Sequence, residues 1–140
     1  MILYLNTSSL VKLYIEEEHS VKVWEWTEAA DGLATSQVAL PEALSAFSRR
    51  AANGELQRAD LPKVCASLEQ DWSAFVILPV EERRAGTLAL QHRLRGFDAI
   101  HLAAALDLRD LLGTDGVGFS AFDRKLLAAA EEEGLSCLRP

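Results

Sequence analysis

Four oxygen-bearing side chains, Asn6, Glu42, Asp98 and Asp123, occupy the same kind of place in this 140-residue chain. Asn6 ends the apolar run Ile2-Leu3-Tyr4-Leu5. Glu42 follows Pro41 in the first turn of a helical pattern. Asp98 opens a long apolar helix, and Asp123 opens the last one. Each has an ordinary explanation when taken alone. Asn and Asp cap helices for about 1 kcal/mol, and the helix dipole favours Glu in a first turn. Taken together they point to chemistry. Helices that follow the strands of a parallel sheet start at one edge, so side chains at those starts can converge. Packed carboxylates repel and raise one another's pKa, and a divalent cation removes that cost. Oxygen ligands without Cys or paired His suit Mg²⁺ or Mn²⁺. Such an ion lowers the pKa of a bound water for attack on a phosphodiester and stabilises charge on phosphoryl oxygens.

The elements that must position these residues can be read in order. A run apolar at every position, Ile2 to Leu5, predicts a strand buried on both faces. Asn6-Thr7-Ser8-Ser9 then supplies helix-capping side chains, which places Asn6 at the carboxyl end of a strand, where open α/β sheets hold their ligands. His19 to Ala30 reads as a helix with Val23, Trp26 and Ala30 on one face. Trp24 points about 200° away from Trp26 at helical spacing, which makes it a candidate partner surface or a partly buried ring. Gly32 to Ser36 reads as a second strand. Leu40, Ala43, Leu44, Phe47 and Ala51 form an amphipathic stripe with Glu42, Ser45 and Arg49 off it, and Asn53-Gly54 ends that helix. Leu61 to Trp72 carries another stripe, and Phe75 to Val80 a third strand. Glu81 to Arg95 predicts a helix closed by Gly96. Asp98 to Leu112 predicts a central apolar helix, Val117 to Ser120 a fourth strand, Asp123 to Glu133 a last helix, and Leu135 to Leu138 an edge strand. This alternation means α/β with a mainly parallel sheet of four to five strands.

Length bounds the chain to one domain, residues 1–140. A hydrophobic fraction of 49% with 25% charged residues is that of a soluble globular protein. No apolar run approaches the roughly 20 residues of a membrane span, and no secretion signal precedes the first strand. Cys65 and Cys137 are isolated, so neither a disulfide framework nor a thiolate zinc site is expected, and a cytoplasmic setting follows. A net charge of −7 excludes gripping nucleic acid by an overall positive field, though not by a local basic rim.

The segments ILYLNTSSLVKLYIEEE, PEALSAFSRR, RGFDAIHLAAAL and FSAFDRKLLAAAEEEGL, in that order and covering nearly the whole chain, resemble the PIN-domain ribonucleases, specifically the VapC toxins of type II toxin–antitoxin systems. The resemblance implies a PIN-like parallel sheet flanked by helices on both sides, and an acidic cleft that binds Mg²⁺ or Mn²⁺ and cuts RNA. It puts Asn6, Glu42, Asp98 and Asp123 at the metal positions, with Glu42, Asp98 and Asp123 as catalytic residues. It also implies a VapB-like DNA-binding antitoxin as partner, and a homodimer. Two departures stand out. The family has a metal-binding Asp where this chain has Asn6, and commonly Ser or Thr where it has Ala121. Asn6 keeps the shape and one carbonyl oxygen but lacks a full negative charge, so metal affinity and water activation are both expected to fall. A naturally degenerate site and a deliberate silencing replacement would read alike.

Arg49 and Arg95 lie nearest the acidic positions and are the expected phosphate contacts. His101, three residues after Asp98, reads as a buried supporting histidine in preference to a catalytic one. His19 and His92 have no metal-ligand spacing, and the loop Gly113 to Gly118 lacks the Lys of a phosphate-binding loop. The competing function is a non-catalytic PIN-like module that binds an antitoxin or RNA. A receiver-like phosphoacceptor domain fits less well, because it needs an acidic pair after the first strand.

Overall fold

The computed structural model describes residues 1–140. Five strands, β1 (Ile2–Leu5), β2 (Gly32–Ser36), β3 (Val76–Leu78), β4 (Val117–Ser120) and β5 (Ser136–Cys137), form one sheet in the order β3-β2-β1-β4-β5. Every pairing is parallel. The helices are α1 (Thr7–Leu10, extended by a 3₁₀ turn Val11–Leu13), α2 (Ser20–Ala29), α3 (Ala39–Ala52), α4 (Leu61–Asp71), α5 (Glu82–His92), α6 (Gly96–Leu112) and α7 (Arg124–Glu132).

The sheet has a separate core on each face, and β1 belongs to both. Leu3 and Leu5 pack with Leu10, Phe47 and Leu68 on one side. Tyr4 packs with Leu102, Phe119 and Leu126 on the other. The unbroken apolar run of β1 is thus the central strand of a parallel sheet, as its pattern predicts. The long apolar helix α6 lies in the second core, where six successive residues, His101 to Leu106, are fully or nearly buried. Trp26 stacks on Phe122 at 6.3 Å, whereas Trp24 is half exposed, which matches their opposite directions on α2.

Several boundaries differ from the sequence pattern. The helix expected over Glu81 to Arg95 ends at His92, because Arg93 takes a left-handed conformation at φ 55° while its N–H still reaches the Ala89 carbonyl. Gly96 does not close that helix; it opens α6, so Asp98 is the third residue of its first turn. The third strand is also shorter, three residues instead of six.

The strands turn from apolar to polar where they reach one common edge. Leu5 leads to Asn6, β2 ends in Thr35-Ser36, and β4 ends in Ser120. All four of these polar residues are buried. Thr35 donates from Oγ1 to the Leu5 carbonyl at 2.7 Å, and Ser9 and Ser120 share a hydroxyl contact at 2.8 Å. The chain leaves β1 for β2 on one side, whereas β4 is reached from β3 through α5 and α6 on the other. The crevice between the carboxyl ends of β1 and β4 is therefore the switch point of the sheet, the usual ligand position in open α/β folds.

Candidate active site

Asn6 stands at that switch point. Its backbone is extended (φ −66°, ψ 157°), and its Oδ1 accepts from the Ser8 N–H at 3.0 Å and the Ser8 hydroxyl at 2.9 Å. The Ser8 hydroxyl in turn accepts from the Phe122 N–H at 3.1 Å, and the Asn6 N–H donates to the Ser120 carbonyl at 3.0 Å. These bonds fasten the β1–α1 turn to the β4–α7 loop, which holds Asn6 and Asp123 on neighbouring sides of the crevice. Asn6 is thus the helix cap itself as well as the residue at the crevice.

Glu42, in the first turn of α3, enters from the β2 side. Its Oε1 accepts from the Thr7 hydroxyl at 2.7 Å and from His101 Nε2 at 2.7 Å. The other ring nitrogen of His101, Nδ1, lies 2.9 Å from the hydroxyl of Tyr4. One proton arrangement satisfies the chain throughout: Tyr4 O–H donates to Nδ1, and Nε2–H donates to Glu42. His101 and Tyr4 are fully buried, and no buried side-chain polar atom lacks a partner. Burial by itself would raise the Glu42 carboxyl. The hydrogen bonds from His101 and Thr7 outweigh it and hold Glu42 below the usual carboxylate range. In Tyr4, burial and then the charge of Glu42 push the phenol well above its ordinary value.

Asp98 and Asp123 complete the set. Asp123 caps α7, accepting at Oδ1 from the Leu126 N–H at 2.8 Å. The Asp98 carboxyl is raised, first by burial and next by the charge of Asp123, with Glu42 adding to it and His101 and Arg95 opposing. Asp98 therefore lies within electrostatic reach of both Asp123 and Glu42. No three Asp, Glu, His or Cys side chains gather into a ready-made ligand shell, and several of the oxygens are engaged by Thr7, His101 and the Leu126 N–H. Arg49 lines a groove of about 590 Å³ with Thr7, Ser8 and Glu42, its Nη1 donating to Ser45 at 2.7 Å. Arg95 lines an adjoining recess with Glu42 and Asp98.

Tyr4 and Thr7 are the residues that sequence patterns miss. Tyr4 looks like one more apolar position of β1, and Thr7 like a capping residue. The one available signal was the three-residue spacing of Asp98 and His101, which puts both on one face of α6.

A parallel sheet with carboxylates drawn to its switch point defines a class of α/β domains with an acidic cleft. The sequence model of the PIN domain matches residues 3–125. Ribonuclease VapC45 of Mycobacterium tuberculosis is 34% identical over 140 residues, covering 95% of this chain and 92% of that protein. The crystal structure of PAE2754 from Pyrobaculum aerophilum is similar with a TM-score of 0.66 at 20% identity, over 98% of this chain and 83% of that one. The crystal structure of VapBC2 from Rickettsia felis, bound to a DNA fragment from their promoter, gives a TM-score of 0.64 at 14% identity, over 99% of this chain and 98% of that one. The chain belongs to the PIN-domain family, among its VapC ribonucleases.

Proposed function

We propose that the chain is a VapC-type toxin, an endoribonuclease that hydrolyses RNA phosphodiester bonds and is attenuated by Asn6. The observation that supports this reading is that Asp98 shares a recess with Glu42 and feels the charge of both Glu42 and Asp123, at the sheet edge where Asn6 ends the central strand, in a chain whose relatives are ribonucleases. The donor set fits a hard divalent cation. It is all oxygen, and burial with mutual repulsion already disfavours the charge on Asp98, a cost that Mg²⁺ or Mn²⁺ would relieve. Asn6, Glu42, Asp98 and Asp123 would hold it. When bound, it supplies an activated water and neutralises charge on the phosphate.

The chain's own residues do the rest. His101 and Thr7 fix the Glu42 carboxylate in its ionised form and in one rotamer. Asp98, in the first turn of α6, and Asp123, the cap of α7, act with Glu42 as the catalytic carboxylates. Arg49 and Arg95, one on each side of Glu42, grip phosphates of the strand. With an amide at Asn6 the site is one charge short, so this chain binds the ion weakly and cuts slowly. By family resemblance its partner is a small DNA-binding antitoxin of the VapB kind, and it works as a homodimer in the cytoplasm. No helix is long and apolar enough to cross a membrane.

The test is Asn6→Asp, assayed for RNA cleavage with Mg²⁺ and with Mn²⁺. Cleavage that is metal-dependent and well above that of the parent chain is expected. A second reading, a non-catalytic module that binds antitoxin or RNA, draws on the engagement of Asn6 Oδ1 by Ser8. It predicts no gain in cleavage and no metal binding with the Asp in place.

A further inference from the structure

Phe97 is a large, exposed aromatic ring at the mouth of the acidic cleft. It is 57% exposed and packs into neither hydrophobic core. Scattered exposed apolar residues are common and need no explanation; the place of this one does. It lines both recesses that meet at Glu42, the larger with Arg49 and the smaller with Arg95 and Asp98. Beside it, Gly96 opens on free space, since a Cβ there would meet nothing within 4 Å.

The charge balance says what such a ring could do. A chain of net charge −7 repels RNA at long range, so affinity must come from short-range contacts. The other basic side chains of the larger groove, Lys12 and Arg50, are committed to Glu17, which leaves Arg49 there and Arg95 in the smaller recess. Two phosphate contacts are few. Stacking on an aromatic ring supplies affinity that depends little on salt or base identity, and only an unstacked base can reach it.

We infer that Phe97 is a base-stacking platform. An unpaired nucleotide lays its base on the ring, Arg49 and Arg95 hold phosphates on either side, and the strand is drawn across Glu42 and Asp98. The inference rests on the ribonuclease reading for its substrate, and it makes Phe97 the residue that selects unpaired nucleotides.

The test uses the full chain with Asn6 in place, titrated with a short single-stranded RNA carrying one 2-aminopurine, so that binding is read without cleavage. The parent should quench the probe. F97A should weaken binding roughly 5- to 150-fold and abolish the quench, F97W and F97Y should restore both, and F97L should not. Because the ring is outside the cores, the melting temperature should not move. The slope of log affinity against log salt should be about −1.4 in parent and F97A alike, as for two phosphates on a single strand. Failure of the parent to bind, affinity of F97A within about twofold of the parent, or full binding by F97L would overturn the inference; the second result would leave the ring to a protein partner. If Asn6→Asp does not cut but the Phe97-dependent quench persists, the ribonuclease reading falls and the platform stands. If Asn6→Asp cuts and F97A changes neither binding nor the preference for unpaired RNA, the platform falls alone.

Discussion

Replacing His101 with Leu should cost more than its single hydrogen bond to Glu42, because His101 satisfies two partners that cannot both find water. Tyr4 is fully buried, and its hydroxyl would lose the acceptor at 2.9 Å. A buried hydroxyl left unpaired costs about 1–3 kcal/mol. Glu42 would lose the donor at 2.7 Å, but its side chain is 24% exposed and it keeps Thr7. The loss there is therefore at the low end for a charged partner, about 1 kcal/mol after screening. His101→Leu should thus destabilise by about 2–4 kcal/mol. Urea unfolding followed by tryptophan fluorescence would read this as a midpoint lower by about 1–2 M. Tyr4→Phe alone strands the buried Nδ1 and should cost about 1–3 kcal/mol. In the His101→Leu background the same change removes the stranded hydroxyl and should be neutral or stabilising. The coupling energy of the double-mutant cycle is expected to be about 1–2 kcal/mol. Additivity within about 0.5 kcal/mol would refute the relay from Tyr4 through His101 to Glu42.

Three further outcomes follow from the charges around the cleft. Asp98→Asn should stabilise the metal-free protein by about 0.5–1 kcal/mol, because burial and then Asp123 penalise the Asp98 charge; a loss of stability in thermal melts with chelator would contradict this. Glu17 is drawn below its ordinary pKa by Lys12 and Arg50 against the opposing effect of burial. A depressed folded pKa gives stability that is present above the unfolded value of 4.5 and lost as pH falls through the folded one. Glu17→Gln should accordingly cost about 1–2 kcal/mol at pH 7, and the deficit should close as the pH is lowered through and below 4.5; a deficit constant with pH would refute the assignment. Asn6→Asp should make melting depend on metal, with Mn²⁺ at a hundred times its Kd adding about 2.7 kcal/mol that chelation removes, while the parent responds weakly at the same concentration.

What the chain's pattern could reveal, and what it could not, divides along physical lines. The unbroken apolar run of β1, the stripe of α3 and the apolar length of α6 are local signals, and each element is present, α6 beginning two residues before its pattern suggests. The α5–α6 boundary was hidden because Arg93, a residue type that seldom takes a left-handed conformation, makes the turn, while Gly96 begins the next helix. The bond from His101 to Glu42 spans 59 positions. It depends on α6 packing across the sheet against β2 and β4 and on which strands are neighbours, and no spacing rule carries that information.

Asn6 shows how the two kinds of information combine. Its residue type puts a neutral amide where the family resemblance leads one to expect a carboxylate. Its geometry says that the oxygen it has is bound to Ser8, which in turn holds the Phe122 N–H and the loop leading to Asp123. Asp caps a helix as well as Asn does, and the two side chains are nearly the same shape, so Asn6→Asp preserves that lacing and changes the charge alone. Any gain in metal binding or cleavage is then a measure of that one charge. If Asn6→Asp instead loosens the β1–α1 turn, the lacing was made by the amide, and the residue serves the fold before it serves the site.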